Sequence, residues 1–455
     1  MSAADEVVTT ARENPYGIEV LGVEPIPPAL RHGGPRSLFT LWFGANTQFA
    51  TLSVGALSTA VFGLDLVPAV LAIVLGTLIS SVLVGVLSTR GPATGLPQLI
   101  QTRGPFGWYG NLPAVVSTAV GGIGWYVVDT TLGIFILRNL FDIGFTPSLL
   151  IMVIAQLIVP LIGYRLIHAM EKWLASGLVC VFAVVTAYAV GQVSLTSATH
   201  PSGSVVGAFL LTVSVTGARG LGWSAYASDY SRYLPAGTSS RRVFAAAAGG
   251  SIVSGVWIGG LGAALGTVAE VADPSSMVRQ FLPSILGTIV LVSLLLSTLA
   301  STVLDLYSGS MAALAAGLRI PRWLSVVLVC LIGSVLAWWA GQHDFVTTFQ
   351  NFLLITSYWL APWAAVTVTA FFRRRGTGIA TPAELSDRRR RFGWGLPATV
   401  LGVVASIPFM SQSVYTGPIA AAHPDIAGLG HVIGCTVAVL AYLAATASDT
   451  ERATA

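Results

Sequence analysis

Charged side chains are scarce in this sequence. Asp, Glu, Lys and Arg make up 9% of its 455 residues, and 54% of residues are hydrophobic, whereas a soluble domain carries about a quarter charged residues. That shortage excludes a soluble globular protein and points to the membrane. Cysteine is nearly absent too. Cys180, Cys330 and Cys435 are odd in number, lie in apolar runs and show no metal-ligand spacing, so a disulfide framework or zinc site is excluded and small buried hydrophobes are expected. No HExxH, Walker or nucleophile-elbow pattern occurs, so nothing supports a membrane protease or an ATP-driven pump. The polar, proline-containing first 36 residues hold no short apolar core followed by a cleavage site, and no signal peptide is expected.

Long uncharged runs are present instead. Residues 37–64, 66–89, 104–128 and 143–164 carry no charge; the run 173–218 holds one span, a polar turn (SLTSATHPSGS) and the start of another. A helix needs about 20 apolar residues to cross the hydrocarbon core. Twelve spans follow, at 38–62, 66–88, 112–137, 146–166, 172–193, 205–228, 243–267, 284–316, 323–340, 345–372, 392–411 and 426–447. The Gly- and Pro-broken segment 89–111 reads as a loop with a short surface helix. With the N-terminus in the cytoplasm, every Lys and Arg except Arg138, Arg279 and the mid-span Arg219 falls on the cytoplasmic side, as the positive-inside rule predicts for an inner (plasma) membrane protein with both termini cytoplasmic. The net charge of +4 therefore reflects topology. RRRGTGIATPAELSDRRRR reads as a cytoplasmic loop, and no nucleic-acid partner is expected.

Glycine clusters along the chain. GGSIVSGVWIGGLGAALG in the seventh span reads as a close helix contact. WFGAN in the first span and TGARGLGWSA in the sixth mix glycine with polar or aromatic residues at mid-membrane depth, five spans apart. Interrupted segments at corresponding places in two halves point to a transporter with inverted repeats.

Ionisable residues within a span are costly and mark functional or paired positions. Asp129, Arg219 and Asp305 qualify, with Asp229 near a cytoplasmic end. Trp125 and Asp129 share a helical face; an indole beside a carboxylate can stack on a flat heterocycle and accept hydrogen bonds from its N–H groups. Arg219 is expected to pair with an aspartate, and Asp229 to cap a helix or serve as an inner gate. Asp305 and Tyr307 repeat the acid and aromatic theme. Ser301 and Thr302, with freed backbone carbonyls, offer hard oxygen ligands suited to sodium, although such hydroxyls often bond back to the preceding turn. Asn46 and Gln48 are polar at membrane depth and are assigned to substrate or ion contact.

WFGANTQFATLSVG, GLPQLIQTRGPFGWYGN, GGIGWYVVD, SAYASDYSRYLP and STVLDLYSG, in that order, resemble the nucleobase:cation symporter family, in its purine/cytosine permease branch. The resemblance implies an all-α membrane protein of twelve spans with the leucine-transporter type of fold, in which spans 1–5 and 6–10 form inverted repeats and helices one and six are broken. It divides the chain into a cytoplasmic tail (1–37), a transport core (38–372), a basic cytoplasmic loop (373–391), spans eleven and twelve (392–447) and a second cytoplasmic tail (448–455). It implies import of a nucleobase-like compound by cation symport with alternating access, with no cofactor beyond the coupling ion, proton or sodium. By position, the stacking tryptophan is Trp125, the polar residue one turn on is Asp129, the first-span amide is Asn46 or Gln48, and the eighth-span amide is Asp305.

The family's second aromatic falls near Gly220, where this chain has none; Trp223, beside Gly222, is the nearest candidate. The sodium-binding hydroxyl positions fall on Leu299 and Ala300, so either the register slips to Ser301 and Thr302, completing an ion site with Gly44 and Ala45, or the protein is not sodium-coupled and a carboxylate carries a proton. The alternatives are another nitrogen heterocycle (a hydroxymethylpyrimidine, allantoin or a hydantoin) or, outside transporters, a channel or an intramembrane enzyme.

Overall fold

The computed structural model describes residues 22–447 apart from 163, 202, 269–273, 318–321 and 374–380. The tails at 1–21 and 448–455 and the middle of the basic loop lie outside the described residues, as does the side chain of Tyr307.

The first span is two helices, α1 (Pro35–Asn46) and α2 (Phe49–Ala56), separated by Thr47 and the extended Gln48. The ends at this break find local partners: Thr51 Oγ1 donates to the Asn46 carbonyl (2.6 Å) and Thr47 Oγ1 to that of Phe43 (2.8 Å), which lets the backbone leave the helix away from water. Then come α3 (Leu66–Ser88), α4 (Leu112–Phe141), α5 (Phe145–Ile162) and α6 (Tyr164–Ala189). The sixth span is α7 (Val205–Gly222), which Ser204 caps by accepting from the Gly207 amide. It tightens to a 3-10 turn at Trp223–Tyr226 and resumes as α8 (Ala227–Ser231). The remaining spans are α9 (Ser240–Leu265), α10 (Ser284–Ala315), α11 (Arg322–Gly341), α12 (Phe345–Arg373), α13 (Gly395–Ser406) and α14 (Gly430–Ala445). Among the described residues, six helices are long and apolar enough to cross a membrane, and six shorter apolar helices accompany them. Val67, Leu71, Leu78 and Val82 of α3 stand exposed at helical spacing, a stripe suited to lipid and not to water. Cys180 is also exposed, against the expectation of burial: it lies on the outer side of α6, where an apolar environment is lipid.

Two packed bodies emerge. In one, α9 lies against α1, α2 and α3, and α3 against α7; in the other, α10 and α11 pack on α4. The first is closed by glycine. A Cβ on Gly55 would come within 2.0 Å of the Gly259 carbonyl oxygen, and one on Gly262 within 2.0 Å of that of Leu52. These helices therefore meet backbone to backbone. An apolar core containing Phe49, Leu132, Phe182, Val215, Ile258 and Leu291 runs between the bodies.

The end of the bundle nearest the N-terminus is laced together. Residues 26–32 bond across it, from the Ile26 amide to Gly95 O (3.0 Å), from Arg31 Nη1 to Pro92 O (2.6 Å) and from the His32 amide to Tyr233 O (2.7 Å). Residues 390–393 bond to 106–110, and the buried Arg103 donates to Ala315 O (2.9 Å) while lying 3.5 Å from the Trp108 ring centroid. Burial, and secondarily Arg388, pulls the Arg103 pKa down to about 10, which leaves it charged at neutral pH.

Gly262→Val drives a side chain into backbone and is expected to destabilise the protein by about 1–3 kcal/mol, read as an earlier unfolding transition in detergent. Gly260→Val, where a Cβ meets nothing within 4 Å, is the tolerated control. Equal stability of the two variants would refute the close contact.

Candidate functional site

The seam between the two bodies collects the polar residues. On one side, Arg219 rises from the glycine-rich last turn of α7, 5% exposed. Its Nη1 donates to Asn46 Oδ1 at 2.6 Å, while among the described residues Nε and Nη2 have no partner. Asn46 is the last residue of α1, and its own amide donates to Trp42 O (2.7 Å) and Ser251 Oγ (3.4 Å). The helix break thus presents a side-chain oxygen that is already oriented. The expected ion pair with an aspartate is replaced by this charge-to-amide bond; Asp129 interacts with Arg219 only as a neighbouring charge.

On the other side, α4 carries Trp125 and, one turn on, Asp129. Trp125 lies over the bare backbone of Gly222, where a Cβ would sit 3.3 Å from the indole Nε1. Its ring is edge-to-face with Phe352 (5.4 Å, 85°) and Phe349 (6.3 Å, 77°) of α12. Asp129 is buried, with Oδ2 unpaired, and lies within electrostatic reach of Ser301 and Asp305. Asp305, from α10, likewise has an Oδ2 with no partner among the described residues. Between the bodies, Gln48 Oε1 accepts from Ser301 Oγ at 2.9 Å, tying the break to α10.

Trp125, Asp129, Asp305, Gln48, Asn46 and Arg219 are brought together. Trp223 is not placed against Trp125: it pairs edge-on with Trp42 (5.8 Å, 79°) and Tyr226 (6.5 Å, 70°). The aromatic neighbours of Trp125 are Phe349 and Phe352, which no local pattern in the sequence singles out. The candidate ion ligands are partly engaged already. The Gly44 carbonyl accepts from the Thr47 amide (2.9 Å), Ala45 packs in an apolar cluster, and Thr302 Oγ1 donates to Thr298 O (2.8 Å) and accepts from Gln156 Nε2 (3.1 Å). Asp229 sits apart, at the laced end, where its Oδ1 accepts from the Gln98 amide at 2.7 Å.

A cavity of about 20 Å³ lies beside Arg219, lined also by Asn46, Thr216, Gly220, Trp223 and Ser251. It is walled by α1, α2, α3, α7 and α9, all of one body, and admits a single water, so no heterocycle fits beside Arg219 unless these helices move.

Residues 25–433 match a family described as permeases for cytosine/purines, uracil, thiamine and allantoin. YxlA of Bacillus subtilis (strain 168), provisionally named a purine-cytosine permease, is 31% identical over 418 residues, covering 89% of this chain and 90% of its own. The purine-cytosine permease fcyB of Emericella nidulans is 27% identical over 450 residues, covering 94% and 88%. Among solved structures, Mhp1, a nucleobase-cation-symport-1 family transporter in a closed conformation with bromovinylhydantoin bound, gives a TM-score of 0.74 at 17% identity, covering 95% of this chain and 96% of Mhp1. Its inward-facing form gives 0.76. These likenesses show the fold: twelve transmembrane helices of the leucine-transporter type, with the 5+5 inverted repeat and interruptions in the first and sixth spans.

Asn46→Ala removes the acceptor of a buried charge-assisted bond and is expected to lower stability by about 1.5–3 kcal/mol, measured as a fall in the unfolding midpoint in detergent. An unchanged midpoint would mean that Arg219 has another partner in solution.

Proposed function

The chain belongs to the family of permeases for cytosine/purines, uracil, thiamine and allantoin; from that premise we propose that it imports a purine- or cytosine-like base by cation symport with alternating access. As a member of that family it is a multi-pass membrane transporter and not an enzyme. The observation that carries the substrate assignment is the pairing of a half-buried indole face, Trp125, with the unpaired carboxylate oxygen of Asp129 one turn away. A flat ring stacked on the first offers its N–H edge to the second. Asp305 and Gln48 supply further acceptors, and Asn46, held by Arg219, shapes the wall. The site's position on the seam supports alternating access, because relative movement of the two bodies exposes it to one side or the other.

The coupling ion in this reading is the proton. Asp129 and Asp305 repel as like charges away from water, and a proton bound by either relieves that repulsion. The engagement of Gly44 and Thr302 within the protein weighs against a sodium site there. The protein sits in the plasma membrane with both tails, residues 1–37 and 448–455, and the basic loop 373–391 in the cytoplasm, an orientation that follows from the distribution of Arg and Lys. The laced end is then the cytoplasmic gate, with Asp229 part of its fastening.

Labelled hypoxanthine and cytosine, presented to proteoliposomes under a proton gradient, a sodium gradient or neither, test the reading. Accumulation under the proton gradient is expected. Accumulation with sodium alone would move coupling to Gly44, Ala45, Ser301 and Thr302, and uptake of neither base under any condition would overturn the substrate class. Asp129→Ala is expected to abolish uptake in a folded protein. Trp125→Ala is expected to weaken apparent affinity about 5- to 150-fold, the range for losing one base–aromatic stack; normal uptake by either variant would remove that residue from the site.

A further inference from the structure

The hydrogen-bond inventory of the seam reaches past the class of substrate to the edge of the ring that is read. We propose that Arg219 determines specificity by selecting bases that carry a carbonyl oxygen beside an unprotonated ring nitrogen, as 6-oxopurines and cytosine do, over adenine and uracil; this rests on the nucleobase reading given above.

Arg219 uses one of its donor atoms, Nη1, to hold Asn46 Oδ1 at 2.6 Å. Among the described residues Nε and Nη2 are buried and have no partner, and the side chain lines a small cavity walled by α1, α2, α3, α7 and α9. These two nitrogens form one side of the planar guanidinium, so their N–H groups run parallel, a fork that fits two adjacent acceptors. Among the described residues, neither Asp129 nor Asp305 comes into ion-pair contact with Arg219, and each keeps an unpaired Oδ2. Arg219 and Asp129 lie within electrostatic reach of each other, so unmet donors on α7 stand near unmet acceptors on α4 and α10. Buried groups left in that condition carry a desolvation penalty. One planar ligand relieves both sides if it presents two neighbouring acceptors along one edge and an N–H along another.

Hypoxanthine and guanine meet this with O6 and N7, and cytosine with O2 and N3. Adenine puts an amino group next to N7 and would turn N–H against N–H. Uracil flanks each carbonyl with N–H or C–H and has no adjacent acceptor pair. The geometry is that by which arginine reads guanine in nucleic acids, where glutamine instead reads the amino group and N7 of adenine. The residue type at position 219 thus sets which edge is accepted, while Trp125 supplies affinity common to all flat rings.

The test is competition by unlabelled hypoxanthine, cytosine, adenine and uracil against labelled hypoxanthine, and in parallel against labelled adenine, on purified wild type, Arg219→Lys and Arg219→Gln, with the folded state of each checked by its melting transition. The wild type is expected to prefer hypoxanthine over adenine by about 5- to 150-fold, the discrimination of one bidentate pair. Arg219→Lys keeps the charge but loses the fork, and the preference should collapse; Arg219→Gln should shift it toward adenine. Adenine competing as well as hypoxanthine on the wild type, or a preference unchanged in both folded variants, overturns the role of Arg219 and leaves the nucleobase reading standing. Binding of none of the four bases by the wild type overturns that reading, and this inference with it. If neither variant folds, the wild-type ranking alone decides.

Discussion

Deep in a membrane protein a guanidinium cannot be left to water, and much of this architecture follows from how Arg219 is accommodated. Among the described residues its hydrogen bond goes to the side chain of Asn46, the residue at which α1 ends. Had the helix run on, Thr47 and Gln48 would not turn out of it, and the Asn46 carbonyl would not be left for the hydroxyl of Thr51. The bond, the break and the capping hydroxyls form one arrangement, since removing any of them exposes a buried polar group. The small residues around Arg219 belong to it as well. A Cβ on Gly220 would come within 2.1 Å of Ser80 Oγ, and one on Gly76 within 2.6 Å of Val213 O, so α3 and α7 close around the charge only because those positions are bare.

This constraint divides labour between the two bodies. Arg219 and Asn46 belong to the body built on α9, and Trp125, Asp129 and Asp305 to the one built on α4 and α10. Ser301 to Gln48 is a polar bond that joins the two across the seam. A site split in this way is sensitive to the relative position of its halves: a ligand touching both sides draws them together, and its departure lets them separate. In the proposed reading, recognition and movement share the same residues.

The sequence made some of this visible and hid the rest for identifiable reasons. Span positions were legible because a bilayer tolerates so few charges, and Trp125 with Asp129 was legible because a helix fixes which neighbours share a face. The close contact of the seventh span could be read from glycine spacing. The partner of Arg219 could not, since it lies 173 residues away in the chain and nothing local distinguishes an amide from a carboxylate as its acceptor. The break in the first span falls just after the glycine that suggested it, because the stop is set by Thr47 and Gln48 and by tertiary bonds at Asn46. Phe349 and Phe352 were invisible as neighbours of Trp125, for aromatic residues in a membrane helix are common and only packing selects among them. Arg103 read as loop charge, yet it is buried between Trp108 and the end of α10.

The bare contacts of α9 have a mechanical meaning. Side chains are the springs of a protein interior, since they absorb displacement by changing rotamer. At Gly55, Gly259 and Gly262 there are none to change, so α2 and α9 cannot cushion one another, and a push on one is delivered to the other without loss. The α9 body acts as a stiff lever, and its compliance begins only at its margins, where Phe39, Phe43 and Trp257 put flexible aromatic groups between helices. A displacement of α2 is thus passed directly to α9 through bare backbone, at a contact away from Trp125, Asp129 and Asp305.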